Sequence, residues 1–474
     1  MKAIVVGAGI GGLSAALVLS NAGYTVEVLD RLPRAGGKIG VYEHGGVLWD
    51  TGPSVFTMRD VLGRLDAAAG TALLDRLTLV KHEQTFVYYF ADGTELPIYF
   101  DVERSIESVE NVFGAKEAKG FRKFLTYADK IWSAAAPNFV YGPAPTYGSA
   151  FLMGMSNPFA VKAIDPFRTM SGAIDSFVKT NEMRMLLKRF ATYNGSDPRQ
   201  APATLNCIAH VELSMGCYGI DGGMYAMIDE ILKVFDSRQI AFRPNTSVTA
   251  IEKRDGGFCV KTDGEDVFGD VVISNVDAAH LNADLLGKPE EKRQRSMSGW
   301  TALFSTPRRP DRIAHSVIFP ENYDDEFAAI FDRGERPAKP TVYACAQTQA
   351  HNIAFENDVI FAMINAPSGC VTNDDAIEQL VRETLEAKDL LDPSAECFWR
   401  RSPTDLGTVF PGTDGAIYGA SSNSQFDAFS RPKNRSKIPG LYLATGSAHP
   451  GGGVPMCMLS GLAASAAAID DQNA

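Results

Sequence analysis

Gly7, Gly9 and Gly12 stand in the run Gly7-Ala8-Gly9-Ile10-Gly11-Gly12, a G-x-G-x-x-G spacing. That spacing suits the holding of a dinucleotide pyrophosphate. The first glycine makes a tight turn, the second lets backbone approach the phosphates, and the third lets a helix pack on a strand. The neighbours agree with this reading. Ala3 to Val6 is a short apolar, β-branched run that predicts a buried parallel strand. Leu13 to Ala22, rich in Ala and Leu and closed by Gly23, predicts a helix whose N-terminus offers partial positive charge and free N–H groups. Thr25 to Leu29 predicts a second strand ending at Asp30, 23 residues after Gly7. An acid there accepts hydrogen bonds from a ribose diol and repels a 2′-phosphate, which argues against NADP. The plain alternative is a glycine-rich turn with no ligand.

Other chemistry is hard to find. No Ser-His-Asp triad, cysteine nucleophile or carboxylate pair stands at interpretable spacing. Seven cysteines are scattered without a Cys-x-x-Cys pair, so neither a disulfide framework nor a zinc site is expected, and a reducing compartment fits. The seven histidines lack ligand spacing, and no metal is expected. With 45 Lys and Arg against 57 Asp and Glu, the net charge of −12 gives no general pull on nucleic acid. No apolar run reaches the roughly 18 residues that span a bilayer. A strand starts at Lys2, where a signal peptide would lie. The expectation is a protein inside the cell that touches membrane only at its surface.

The 474 residues are too many for one ordinary core, and their texture alternates. Phe86 to Phe90, a turn at Asp92-Gly93, and Leu96 to Phe100 predict a hairpin. Helical charge patterning runs from Glu103 to Lys130, and residues 134–167 are dense in Pro, Gly, Met and aromatics. That stretch reads either as a pliable apolar wall or docking face, or as core helix interrupted by prolines. Asp221-Gly-Gly-Met224 leads a helix through Val234. Strands from Ile240, Ser247, Phe258 and Asp270 follow, taken as a small antiparallel sheet. Gly440 to Gly446 predicts a buried strand. Ser447 to Pro455 is a glycine-rich loop, and Met456 to Ile469 is an Ala-rich helix with Pro455 suited to its first turn. The division expected is 1–80, 206–290 and 433–474 for nucleotide binding, with 81–205 and 291–432 for substrate.

Arg34-Ala-Gly-Gly-Lys38 resembles the Arg-x-Gly-Gly-Arg/Lys extension of glutathione-reductase-like and amine-oxidase-like FAD proteins. Asp50-Thr-Gly-Pro-Ser54 looks like the loop those proteins place near the isoalloxazine. The whole chain resembles the carotenoid-desaturase branch of the FAD-dependent amine-oxidase-like superfamily, above all in Gly446-Ser-Ala-His-Pro-Gly-Gly-Gly-Val-Pro455. Within that branch, Arg189 to Ala203, Ile208 to Glu212 and Phe410 to Tyr418 are similar to hydroxyneurosporene and methoxyneurosporene dehydrogenases of purple bacteria.

The resemblance implies an α/β fold: a Rossmann-like FAD-binding domain with an inserted α+β substrate domain. It implies non-covalent FAD held by Gly7, Gly9, Gly12, Asp30, Arg31, Arg34, Gly37, Lys38, Gly52, Pro53, Val248, Gly446, Ser447, Val454, Pro455 and Met456. Ser447 replaces the usual acidic residue. It further implies desaturation of an acyclic carotenoid, with quinone or oxygen as electron acceptor, at the cytoplasmic side of a photosynthetic membrane. Candidates for the base or polar partner are Tyr193, His210, Glu212 and His449. Each also has a plain reading: satisfied core residues for Tyr193 and His210, a surface helix residue for Glu212, a loop-ordering side chain for His449. A redox-neutral isomerase or saturase, and a flavin-free interaction protein on the same fold, are the alternatives. The motifs do not speak to oligomeric state.

Overall fold

A computed structural model of the chain describes residues 1–146, 148, 155, 162–289 and 293–473. Five parallel strands form one sheet in the order Leu441–Leu443, Val271–Ser274, Lys2–Val6, Thr25–Leu29, Ala241–Arg243. Parallel strands are buried on both faces, which is why these runs are almost continuously apolar. Ala3 and Val5 face the helices Ile10–Asn21, Ala226–Arg238 and Val454–Asn473, while Ile4 and Val6 face Ile251, Phe258 and Val260 of a three-stranded antiparallel sheet. The first and last helices pack so closely that a Cβ on Gly461 would lie 2.9 Å from Ser14 Cβ.

Three features differ from expectation for local or packing reasons. The first helix begins at Ile10, taking Gly11 and Gly12 into its first turn. Glycine is a poor helix former, but a Cβ on Gly12 would collide with the Gly7 carbonyl. The strands expected from Ile240 and Asp270 do not belong to the small antiparallel sheet. They pair in parallel with Thr25–Leu29 and Lys2–Val6, extending the large sheet where apolar cover exists on both sides. The helical stretch from Glu103 is two helices, Val102–Phe113 and Ala115–Ala135, broken at Gly114, whose φ of 86° suits glycine.

A second, seven-stranded sheet runs Glu396–Arg401, Ser298–Thr306, Asp358–Ala366, Val342–Ala346, His315–Ile318, Gln84–Tyr89, Glu95–Tyr99. It is antiparallel except where His315–Ile318 lies parallel to Gln84–Tyr89. Side chains alternate across it. Trp300, Ala302, Ile360, Ala362 and Ile364 pack under the Asp374–Glu386 helix, and Thr301, Tyr343, Phe361 and Met363 line a cavity. Helices Ala115–Ala135, Asn181–Lys188 and Cys207–Leu213 pack together in a core with Phe86, Tyr88 and Val317 of the sheet. Among the described residues, no helix is long and apolar enough to cross a membrane.

Candidate flavin and substrate cavity

The cavity is about 750 Å³ and is bounded by loops that follow the parallel strands and by residues of the seven-stranded sheet. This lies in the range of small-molecule sites. Its lining has two textures, one built from glycine loops and charges, the other apolar.

The first texture starts at the carboxyl end of the parallel sheet, where such folds bind ligands. Gly7, with φ of 99°, turns the chain, and a Cβ on Gly9 would lie 2.5 Å from Asn275 Oδ1. Only a side-chain-free loop fits, and its concave backbone at the N-terminus of the Ile10–Asn21 helix is what a pyrophosphate needs. The Gly9 amide donates to Asn275 Oδ1 at 2.8 Å, and Asn275 Nδ2 donates to the Ala444 carbonyl. Asp30 lines the cavity, but its oxygens already accept the Ala8 amide at 2.6 Å and the Leu32 amide at 2.8 Å. Burial pushes its carboxyl above the usual range against those two amides. The acid thus shapes the loop from the edge of the cavity.

Gly37, Lys38, Gly52 and Pro53 line the next stretch. A Cβ on Gly52 would strike the Lys38 carbonyl. The buried Lys38 ammonium donates to the carbonyls of Ala416 at 3.0 Å and Ile417 at 2.7 Å. Burial draws its pKa down, opposed by the carboxylate of Asp277. Gly446, Ser447, Val454, Pro455 and Met456 close this side, with Pro455 in the first turn of the last helix. Ser447 Oγ accepts the Ala278 amide at 2.8 Å. Arg31 also lines the cavity, donating to Thr408 O at 3.3 Å. Three expected contacts fall elsewhere. Gly12 serves the helix–strand packing beneath the loop. Arg34 points to Glu43 at 3.5 Å with half its side chain exposed. Val248 begins a strand outside the lining.

The apolar texture comes from Trp132, Phe139, Val140, Ile164, Leu205 and Ile208 on one side and the seven-stranded sheet on the other. Within it sits a buried charge cluster. The Arg189 guanidinium lies 5.2–5.8 Å from the ring centroids of Tyr193, Phe86, Tyr88 and Tyr343. It is 3.9 Å from Glu212 Oε1. Tyr193 donates to Glu212 Oε2, while Oε1 has no hydrogen-bond partner among the described residues. Burial raises the Glu212 pKa, countered by Arg189 and the Tyr193 hydroxyl. Glu212 is therefore a buried cavity residue, and the surface-helix reading is corrected: it lies on the inner face of Cys207–Leu213. Such a carboxylate can accept a proton from substrate.

His210, two residues earlier, is outside the lining, with Nε2 3.7 Å from the Asp129 carboxylate. His449 lines the cavity, and its Nε2 donates to the Gly142 carbonyl at 3.0 Å. Burial lowers the pKa of both. Tyr193, Glu212 and His449 are thus brought to one cavity, and His210 is not.

Asn275 and Arg189 were missed as site residues. Asn275 had a signal, since it directly follows the buried strand Val271–Ser274, and ligands gather at such strand ends. Arg189 had none, because an arginine in a helical stretch is ordinarily solvated. Of the expected apolar docking region, Phe151, Met153 and Pro158 to Val161 lie outside the described residues. Met155 and Phe167 are 70% and 83% exposed.

A family model described as flavin containing amine oxidoreductase matches residues 10–469. The chain is 32% identical to hydroxyneurosporene desaturase of Rubrivivax gelatinosus, over 97% of this chain and 91% of that protein. It is 33% identical to hydroxyneurosporene desaturase of Rhodobacter capsulatus, over 99% of this chain and 98% of that protein. Among solved structures, cyclohexylamine oxidase from Brevibacterium oxydans shares the fold. Its TM-score is 0.65 at 14% identity, covering 100% of this chain and 99% of that one. The chain belongs to the flavin containing amine oxidoreductase family, with the carotenoid desaturases.

Proposed function

We propose that this protein uses non-covalent FAD to desaturate an acyclic carotenoid beside an oxygen-bearing end, as a step in carotenoid biosynthesis. One observation carries the reading: the glycine cradle and a long apolar lining belong to one cavity, with a carboxylate oxygen, Glu212 Oε1, that has no hydrogen-bond partner among the described residues. A small polar amine would not need that much apolar wall. Bound flavin supplies the hydride acceptor.

The chain's own residues do the rest. The glycine loop and the N-terminus of the Ile10–Asn21 helix would hold the phosphates, Lys38 would add positive charge alongside them, and Asp30 would turn the choice toward an unphosphorylated ribose. Cys457 lines the cavity as a neutral thiol, its pKa pushed up to about 11 by burial, which supports non-covalent binding. The apolar walls hold one C–C bond in place and exclude water. As a hydride leaves one carbon, Glu212 Oε1 takes the proton from its neighbour, and Tyr193 and Arg189 orient the carboxylate. The substrate loses two hydrogens and gains one conjugated double bond. His449 orders the loop before Pro450.

The substrate's solubility argues for peripheral membrane attachment on the cytoplasmic side, with quinone or oxygen as final acceptor. The division into three nucleotide-binding and two substrate segments follows the two large sheets. Incubating FAD-loaded protein with hydroxyneurosporene and an acceptor tests the reading. A shift to longer wavelength and a product lighter by two hydrogens are expected. A product of unchanged mass would make it an isomerase, and no turnover of any carotenoid would sink the proposal.

A further inference from the structure

The seven-stranded sheet meets the cavity with alternate residues, Thr341 and Tyr343 from one strand region and Phe361, Met363 and Asn365 from the next. At the end where Val342 pairs with Ile364, this floor turns polar. Glu326 is fully satisfied there: Oε2 accepts the Thr341 amide at 2.6 Å, and Oε1 accepts Asn365 Nδ2 at 2.8 Å.

Two hydroxyls stand beside it, and neither makes a well-formed hydrogen bond. Tyr323 is 2% exposed, and its ring is gripped edge-on by Phe319 and Phe327 at 4.9 and 4.8 Å between centroids. Thr341 is 6% exposed. Tyr323 Oη has no hydrogen-bond partner among the described residues, Thr341 Oγ1 has only the adjacent Glu326 carboxylate within reach, and both residues line the cavity. Buried hydroxyls are nearly always paired, so an orphan phenol beside a second hydroxyl, both facing one cavity, points to a ligand group that completes them.

We propose that Tyr323 and Thr341 form the subsite that receives the oxygen at the end of the polyene. The inference rests on the carotenoid reading and deepens it by assigning the residues that select the end group. Each of the two hydroxyls both donates and accepts. A terminal hydroxyl does the same and completes both, a methoxyl can only accept, and a hydrocarbon end completes neither. The order of preference is therefore hydroxyl, methoxyl, hydrocarbon. Tyr323 packs on Phe319 at 4.9 Å between centroids, Phe319 stacks on Tyr88 at 6.0 Å, and Tyr88 is one of the rings around Arg189. The subsite thus adjoins the Arg189–Glu212 cluster, as a reaction beside the end group requires.

The test compares parent, Tyr323→Phe, Thr341→Val and the double variant, all FAD-loaded. Hydroxyneurosporene and neurosporene are presented in the same phosphatidylcholine vesicles. The expected result is a fall of about 5- to 150-fold in the ratio of kcat/KM for hydroxylated over plain substrate, largest in the double variant. A ratio that stays at the parent's value, or equal losses on both substrates, overturns the subsite and leaves the hydroxyls to water. Should Thr341→Val fail to retain flavin, Tyr323→Phe alone carries the same two outcomes. A parent inert on both carotenoids removes the carotenoid reading and the subsite with it. An active parent whose ratio the variants do not move removes the subsite only.

Discussion

Asn275 ties Gly9 to Ala444, with Oδ1 accepting the glycine-loop amide at 2.8 Å and Nδ2 donating to the backbone just after the last strand. One side chain thus fastens segments 435 residues apart in sequence, at the mouth of the nucleotide cradle. Asn275→Leu would leave the Gly9 amide and the Ala444 carbonyl unpaired and crowd a loop with no room. An unpaired buried group costs about 1–3 kcal/mol, so FAD affinity should fall by roughly 5- to 150-fold. Fluorescence titration of apoprotein with FAD measures this. An unchanged dissociation constant would show that the loop holds its shape alone.

The proposed proton acceptor is the next point of attack. Glu212→Gln keeps the shape and leaves the flavin cradle untouched, but it removes a basic oxygen next to Arg189. General base catalysis contributes about 10²- to 10⁴-fold, and a loss of that order is expected in the rate of flavin bleaching under anaerobic substrate. Bleaching at the parental rate would move proton removal to another group or to water.

Legibility in the sequence followed distance along the chain. The Gly7 to Gly12 loop, the Thr25–Leu29 strand and the helix after Met224 were readable because each is set by local spacing and apolar pattern. Gly446 to Met456 was readable because its glycines and prolines are dense and unusual. The Glu212 cluster was visible only as residue types. Nothing local says that Arg189 is buried among four rings, or that Tyr323, Thr341 and Asn365 meet at one sheet end. Those meetings depend on pairings such as Val342 with Ile364, which the register decides. Asp30 was placed correctly in the chain, yet its two backbone amide partners belong to the folded loop. Arg34 shows the reverse case: it sits in a recognisable motif, and its side chain turns to Glu43.

Glu326 gives a pH dependence of stability with a definite sign. Burial raises its carboxyl from 4.5 to about 7. The folded state therefore binds this proton more tightly than the unfolded chain does. The resulting stability is complete below about pH 4.5 and is lost as pH rises through 7. A shift of that size corresponds to roughly 3 kcal/mol. Glu326→Gln cannot ionise, so relative to the parent it should gain stability as pH goes from 4.5 to 8. Urea unfolding across that range reads the difference. Parallel curves for the two proteins would show that Glu326 ionises without cost.

Membrane attachment, if it occurs as proposed, has to be apolar. A net charge of −12 offers no electrostatic pull on an anionic lipid surface. Phe167 and Met155 are among the most exposed large apolar side chains described, at 83% and 70%. They lie within the stretch, residues 134–167, whose composition first suggested docking. Burying one such side chain in lipid is worth about 1.5–3 kcal/mol, so each substitution to Asp should weaken vesicle partitioning by roughly 10- to 150-fold. Because screening acts on charges and not on apolar burial, parental binding should persist at 1 M salt, where the Debye length is about 3 Å. Flotation with phosphatidylcholine vesicles at low and high salt measures both effects. Binding that vanishes at high salt, or that survives Phe167→Asp with Met155→Asp, would place the docking face elsewhere on the molecule.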